Sequence, residues 1–276
     1  MSDTIMKHWT LEDIPWESFD RSRVDPDTLK LVKAASMVES NGGDYAIYLC
    51  NVFAGDGAFQ AFAHEWAQEE VQHGLALGRW AAMADSSFDY DAALRRFSNG
   101  YRIETGRRDS LRGSRCGELV SRCMVEIGTS SYYSALMDAT DEPVLKEICR
   151  CIAADEFRHY KLFYTHLKRY LAIERIGHVK RFLVAVSRMA ESEDDELAYA
   201  YYAANHADER YERRRFSAAY FRRALSKYRP HHFDRSIAMA MKAIGLAPRH
   251  WFSRLISRSA AWFVSYRIGR LGRAAT

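Results

Sequence analysis

The chain has 276 residues, 48% hydrophobic and 28% charged, with a formal net charge of +4 and an isoelectric point near 8.7. That length and apolar content suit one compact domain, residues 1–276, with a sizeable buried core. No stretch approaches the ~20 apolar residues that cross a bilayer, and Met1 to Phe19 lack the apolar region of a secretory signal.

Five prolines and no alternating Val/Ile runs point to an all-α fold. In chain order the patterns predict helices near 27–53, 58–84, 89–108, 115–139, 143–170, 178–190, 194–226, 233–246 and 249–269. The first begins at Asp25-Pro26-Asp27-Thr28, where proline and polar capping groups open a helix. It is expected to kink or unwind at Ser40-Asn41-Gly42-Gly43, because glycine pairs are poor helix-interior residues. Gly55-Asp56-Gly57 is a turn signal before the second helix. Asp141-Glu142-Pro143 opens the fifth, with proline suited to the first turn. The cysteines Cys50, Cys116, Cys123, Cys149 and Cys151 show no disulfide or zinc spacing, so a reducing cytoplasm is the expected setting.

The chemistry concentrates in two Glu-x-x-His units, Glu70–His73 and Glu156–His159. Residues three apart share a helix face, so each unit aims a carboxylate and an imidazole at one point. With ten histidines in the chain, one such unit would mean little and two are only mildly unusual. Their placement carries more weight. Glu39 precedes the first unit and Glu126 the second at nearly equal distances, with the two turn signals near the midpoints. In an antiparallel hairpin, about fifteen residues up and fifteen down at about 1.5 Å each return both carboxylates to one height. Glu118 competes with Glu126, but lies eight residues nearer its helix start, which spoils the height match. The expected fold is therefore a ferritin-like four-helix bundle over about 27–170, with additional basic helices over about 171–276. Its expected metal ligands are Glu39, Glu70, His73, Glu126, Glu156 and His159. Glu70 and Glu156 would bridge two ions, with Glu39 and Glu126 terminal. Hard carboxylate oxygens and borderline imidazoles suit two Fe ions, with Mn as the alternative. Glu69 and Asp155, each just before a ligand glutamate, are expected to orient the ligand histidines through their outer ring nitrogens. A solvated acid competes with that reading, most closely for Glu69. Trp66, one turn before Glu70, reads first as packed core and second as part of an electron route.

Around these units Trp66-Ala-Gln-Glu69-Glu70-Val-Gln-His73-Gly74 and Ile152-Ala-Ala-Asp155-Glu156-Phe-Arg158-His159 resemble the two metal motifs of soluble acyl-acyl carrier protein desaturases. Those enzymes carry Trp-x-x-Glu-Glu-x-x-His-Gly and Ala-Asp-Glu-x-Arg-His. Thr129, three residues after Glu126, matches a threonine that the family keeps beside its oxygen-binding face, and so takes a catalytic role by resemblance. The likeness covers about residues 12–170, including the lead-in from Ile14 to Asp20; the segment after 170 shows none. It implies an oxygen-dependent desaturase or hydroxylase of an acyl chain, an acyl carrier protein as partner and an electron donor such as a ferredoxin. Some di-iron arylamine oxygenases add a histidine four residues before the second unit, where Ile152 stands here. Two other classes fit the same residues: a di-iron oxidase of a pigment precursor, amine or small metabolite, and an iron-handling or ferroxidase protein.

From Met241 to Thr276 the chain has Lys and Arg but no Asp or Glu, with Trp251, Phe252, Leu255, Ile256, Trp262 and Phe263 among Arg249, Arg254 and Arg258. Such a segment suits an anionic membrane surface, so peripheral contact through 247–270 with the inner face of a membrane is one expectation. Docking of an acidic acyl carrier protein and a plain solvated face are the others. No nucleic-acid-binding motif is present. The sequence is compatible with a monomer or a homodimer.

Overall fold

A computed structural model describes residues 8–191 and 195–247. The predicted helix at 249–269, and the membrane contact expected of 247–270, lie outside the described residues apart from Ala247. Among the described residues the fold is an all-α bundle: α1 (Pro26–Glu39), α2 (Gly42–Val52), α3 (Gly57–Ala84), α4 (Tyr90–Gly100), α5 (Arg115–Ala139), α6 (Pro143–Glu174), α7 (His178–Glu191), α8 (Asp195–Asn205), α9 (Arg213–Ser226) and α10 (Pro230–Ile244). None is long and apolar enough to cross a membrane.

Local chemistry sets most of the helix starts. Side chains of Asp25, Asp56, Asp89, Ser114 and Glu142 accept from backbone N–H groups of the first turns of α1, α3, α4, α5 and α6. Gly55 takes a positive φ of 86° in the turn before α3, a conformation that favours glycine. Glu142 does more than cap. Its buried carboxylate also accepts from Trp80 Nε1 at 2.7 Å and Asp20 N at 3.1 Å, tying the lead-in segment to the α5–α6 turn.

The long helices form two hairpins. The α1–α2 pair packs against α3, α5 packs along α6, and α3 meets α6 across the middle. Two apolar clusters flank that middle. One holds Leu31, Trp80, Tyr133, Ile148 and Tyr201; the other holds Phe53, Phe59, Trp66, Leu119 and Phe163. The remaining helices brace the bundle: α8 lies on α1 and α9 on α8, with Arg223 and Lys227 paired to Asp27 and Asp25 at 2.7 and 2.9 Å.

Three predicted elements differ from the observed ones. The helix expected over 27–53 divides at Ser40–Asn41, at the predicted weak point. The helix expected over 89–108 stops at Gly100, a poor helix former, beyond which Tyr101 takes extended backbone with φ −123° and ψ 125°. The helix expected over 194–226 is interrupted between Asn205 and Arg213. There Asn205 donates to the Lys30 carbonyl of α1 at 3.1 Å, and His206 pairs with Glu209 at 2.8 Å.

Candidate metal centre

The elbow between α1 and α2 positions the first carboxylate. Glu39 ends α1, and the chain beyond it presses directly on α3. A Cβ on Gly42 would sit 2.5 Å from Glu70 Cβ, and one on Gly74 would meet Ser40 Oγ at 2.1 Å and Ser36 O at 3.0 Å. Two glycines, one on each side, therefore allow the backbones to approach where Glu70 and His73 project from α3. Across the bundle α5 supplies Glu126, and α6 supplies Glu156 and His159.

These side chains fall into two overlapping groups, Glu39–Glu70–His73–Glu156 and Glu70–Glu126–Glu156–His159. Within each group the potential ligand atoms lie within 4.8 Å of one another, and all six residues are buried. Glu70 and Glu156 belong to both groups. His73 Nδ1 lies 3.4 Å from Glu156 Oε1, and His159 Nδ1 lies 3.1 Å from Glu70 Oε1 and 3.6 Å from Glu126 Oε2. Both histidines turn Nδ1 inward and Nε2 outward. Glu118 stands apart, accepting from Tyr48 and Ser110 at 2.7 and 2.8 Å.

The outer nitrogens are held crosswise. His73 on α3 meets Asp155 of α6 at 3.1 Å, and His159 on α6 meets Glu69 of α3 at 2.5 Å. Arg158 bridges the two acids, donating to Glu69 at 2.8 Å and Asp155 at 2.7 Å. This interlock fixes the rings so that Nδ1 faces the cluster. Thr129 Oγ1 is 2.6 Å from Glu156 Oε2, and the Tyr133 hydroxyl donates to Glu39 Oε1.

Sequence reasoning missed two residues. Trp9 donates to Asp155 Oδ2 at 2.6 Å and stacks on His73 with centroids 5.9 Å apart and rings 1° from parallel. Tyr133 carries no local signal, because its role depends on a partner in another helix. Trp66, by contrast, packs edge-on against Phe163 in the second apolar cluster, and its Nε1 makes no hydrogen bond. The tryptophan touching the histidine network is therefore Trp9, not Trp66.

Protonation follows from burial and from the crowding of like charge. Burial raises Glu70, and the charges of Glu156 and Glu39 raise it further. Glu126 is pushed up to about 8 by burial and the charge of Glu156. Burial works against an ionised Glu156 too, but the neighbouring imidazoles of His159 and His73 outweigh it and hold that carboxyl below its usual range. Both imidazoles stay above theirs although burial pulls them down: His73 through Asp155, Glu156 and Glu39, His159 through Glu126, Glu156, Glu69 and Glu70. Asp155 falls to about 2 against the effect of burial, chiefly through His73.

The donor set fits bound metal. Glu70 Oε1, His73 Nδ1, both oxygens of Glu126, Glu156 Oε1 and His159 Nδ1 are buried without a hydrogen-bond partner. Leaving such atoms unpaired is costly, and every one of them faces the cluster. The carboxylates' negative charge offsets that of a bound cation, and oxygen and imidazole donors together can hold a metal ion. A third group, Asp138–His231–His232, is of another kind. His232 Nδ1 accepts from Arg229 N–H at 2.9 Å, so its Nε2 carries the proton given to Asp138 at 3.1 Å and has no lone pair for an ion.

The fold and site thus define an all-helical bundle with a buried, paired carboxylate–histidine cluster able to hold metal. No protein-family model matches the chain, and the search of curated proteins finds no match.

Proposed function

We propose that this chain is a di-iron, oxygen-dependent oxidoreductase acting on an unactivated C–H bond, most simply by desaturating or hydroxylating an acyl chain. The observation that carries the proposal is the sharing of Glu70 and Glu156 between two buried donor groups that each contain one inward-facing imidazole. The acyl substrate is drawn from the resemblance of the two motifs to soluble acyl-acyl carrier protein desaturases, and so are an acyl carrier protein partner and a ferredoxin-type donor.

When bound, a pair of irons supplies dioxygen activation and the oxidising power to remove hydrogen from carbon. The chain's own groups do the rest. Glu39 with His73 would hold one ion, Glu126 with His159 the other, and Glu70 with Glu156 both. Asp155 and Glu69 keep the Nε2–H of each histidine engaged, so that the Nδ1 lone pair points inward. The Thr129 hydroxyl sits where it can hold or pass a proton at Glu156 Oε2. Burial of all six ligands keeps water from the reacting centre. Trp9, joined to His73 through Asp155 and by stacking, offers an aromatic group through which electrons reach the histidine.

The test is reconstitution with ferrous iron, followed by dioxygen, a reductant and acyl carrier protein thioesters, with mass spectrometry of the acyl chains. Loss of two hydrogens marks desaturation, and gain of one oxygen marks hydroxylation. Oxidation of iron with every acyl chain unchanged would overturn the acyl reading and favour a small-metabolite oxidase or an iron-handling protein.

A further inference from the structure

The helix α7 lies on the bundle inside out. With about 100° of turn per residue, its side chains divide into two sides. Arg181 and Ala185 are buried against the protein, with Arg188 half-buried on the same side. Val179, Phe182, Leu183 and Val186 point the other way, 74%, 50%, 60% and 46% exposed. Their spacing of three, one and three residues makes one continuous apolar stripe. An ordinary surface helix turns such a stripe inward. Here it faces away from the core, while Arg181 is held inside by the Ala243 carbonyl at 3.4 Å and by His178 at 2.8 Å.

The start of the stripe is bordered by cations, and its far end runs into the acidic sequence Glu191-Ser192-Glu193-Asp194-Asp195-Glu196. From Arg175 to Ala190 the sequence holds no Asp or Glu. Lys180, Arg175 and Lys242 are exposed, whereas the nearby Glu174 is engaged with the backbone N–H groups of Arg115 and Cys116 at 3.2 and 2.8 Å. Exposed Ile173 precedes α7, and exposed Leu246 follows α10. The end of α10 adjoins the start of α7, where His178 Nδ1 meets the Ile244 carbonyl at 3.1 Å. The chain then continues into the arginine- and tryptophan-bearing sequence that begins at Arg249. The exposed parts of four side chains fall far short of the roughly 800 Å² per partner that a stable dimer buries. A helix lying in a bilayer interface needs only one apolar stripe with cationic margins.

We infer that α7 is a membrane-contact surface: Val179, Phe182, Leu183 and Val186 enter the interface of an anionic lipid bilayer, and Arg175, Lys180 and Lys242 meet its headgroups. This does not depend on the chemistry at the metal centre. The test is flotation of the full chain with vesicles of phosphatidylglycerol and phosphatidylcholine in equal parts, against pure phosphatidylcholine. The parent should float with the anionic vesicles, and the exposed-site double variant Phe182→Glu/Leu183→Glu should partition at least about tenfold less. A second measurement reads α7 directly. An environment-sensitive dye on Val186→Cys, in a Cys50→Ser background because the other four cysteines are buried, should shift to the blue on anionic vesicles and be quenched by brominated acyl chains. Absence of vesicle binding by the parent would overturn the inference, as would undiminished flotation of the double variant. A dye that stays in water while the chain is bound would assign the contact to the segment after Ala247 instead. A dimer by light scattering that the double variant dissociates, and that anionic vesicles leave intact, would assign the stripe to a second copy of the chain.

Discussion

Filling the cluster with metal should expel protons, and their number follows from the groups that carry them beforehand. In the metal-free site Glu70 and Glu126 are held above the usual carboxylate range, by burial first and by neighbouring carboxylates second. His73 and His159 are held above the usual imidazole range by the acids around them. A metal ion binds the deprotonated form of each. Two glutamates and two histidines therefore release up to four protons when both positions fill near neutral pH. Calorimetric titration with Mn2+ at pH 7, in buffers of different ionisation enthalpy, should give a slope of roughly three to four protons, with affinity weakening steeply as pH falls. Stability of the metal-free protein should run the other way. The two raised carboxyls lose stability as pH climbs from their ordinary 4.5, in the case of Glu126 towards about 8. The two histidines contribute fully below their ordinary 6.5 and lose that contribution as pH rises through their raised values. Glu156, Glu69 and Asp155 are depressed, so their share is lost only in acid, below the ordinary carboxylate range. The metal-free Tm should thus fall between about pH 5 and 8, while the increment produced by Mn2+ grows. Tight Mn2+ binding with a slope near zero, or with affinity flat over that range, would refute the protonation pattern derived from the site.

The remaining expectations separate metal binding from folding. Glu126→Gln replaces a buried carboxyl that is mostly protonated near pH 7 in the metal-free site and whose two oxygens have no hydrogen-bond partner, so metal content should fall while urea unfolding shows the stability of the metal-free fold little changed. Glu118→Ala should do the reverse: it strands the Tyr48 and Ser110 hydroxyls and the buried Arg122, costing about 3 kcal/mol with metal content unchanged. Asp155→Asn should leave the fold intact and weaken metal affinity about 10- to 100-fold, read by chelator competition, because it disturbs the partner of His73 Nε2. Gly74→Ala, whose Cβ would strike Ser40 and the Ser36 carbonyl, should cost about 1–3 kcal/mol. Gly43→Ala, with nothing within 4 Å, should gain up to about 1 kcal/mol by the same unfolding assay.

What could be read from the chain alone was whatever depends on neighbours within a few residues. The starts of α1, α3 and α6 follow from Asp25-Pro26, Asp56-Gly57 and Glu142-Pro143. The break at Ser40–Asn41 follows from a glycine pair, and the pairing of Glu70 with His73 and of Glu156 with His159 follows from the helical turn. The preference for Glu126 over Glu118 needed only counting from a turn, since rise per residue converts sequence distance into height.

Tertiary structure decided everything that required two distant segments to meet. That Asp155 serves His73 and Glu69 serves His159, each across the α3–α6 contact, is invisible in motifs that place each acid beside its own helix's ligands. Trp66 stands inside a motif and yet packs with Phe163, whereas Trp9, far away in sequence, reaches Asp155. The pattern of α7 announces an amphipathic helix, but only packing reveals that its arginines face the protein and its apolar stripe faces out. Hydrogen bonds along one helix are set by the backbone's own repeat; contacts between helices depend on which faces the core selects, and that selection is a property of the whole chain.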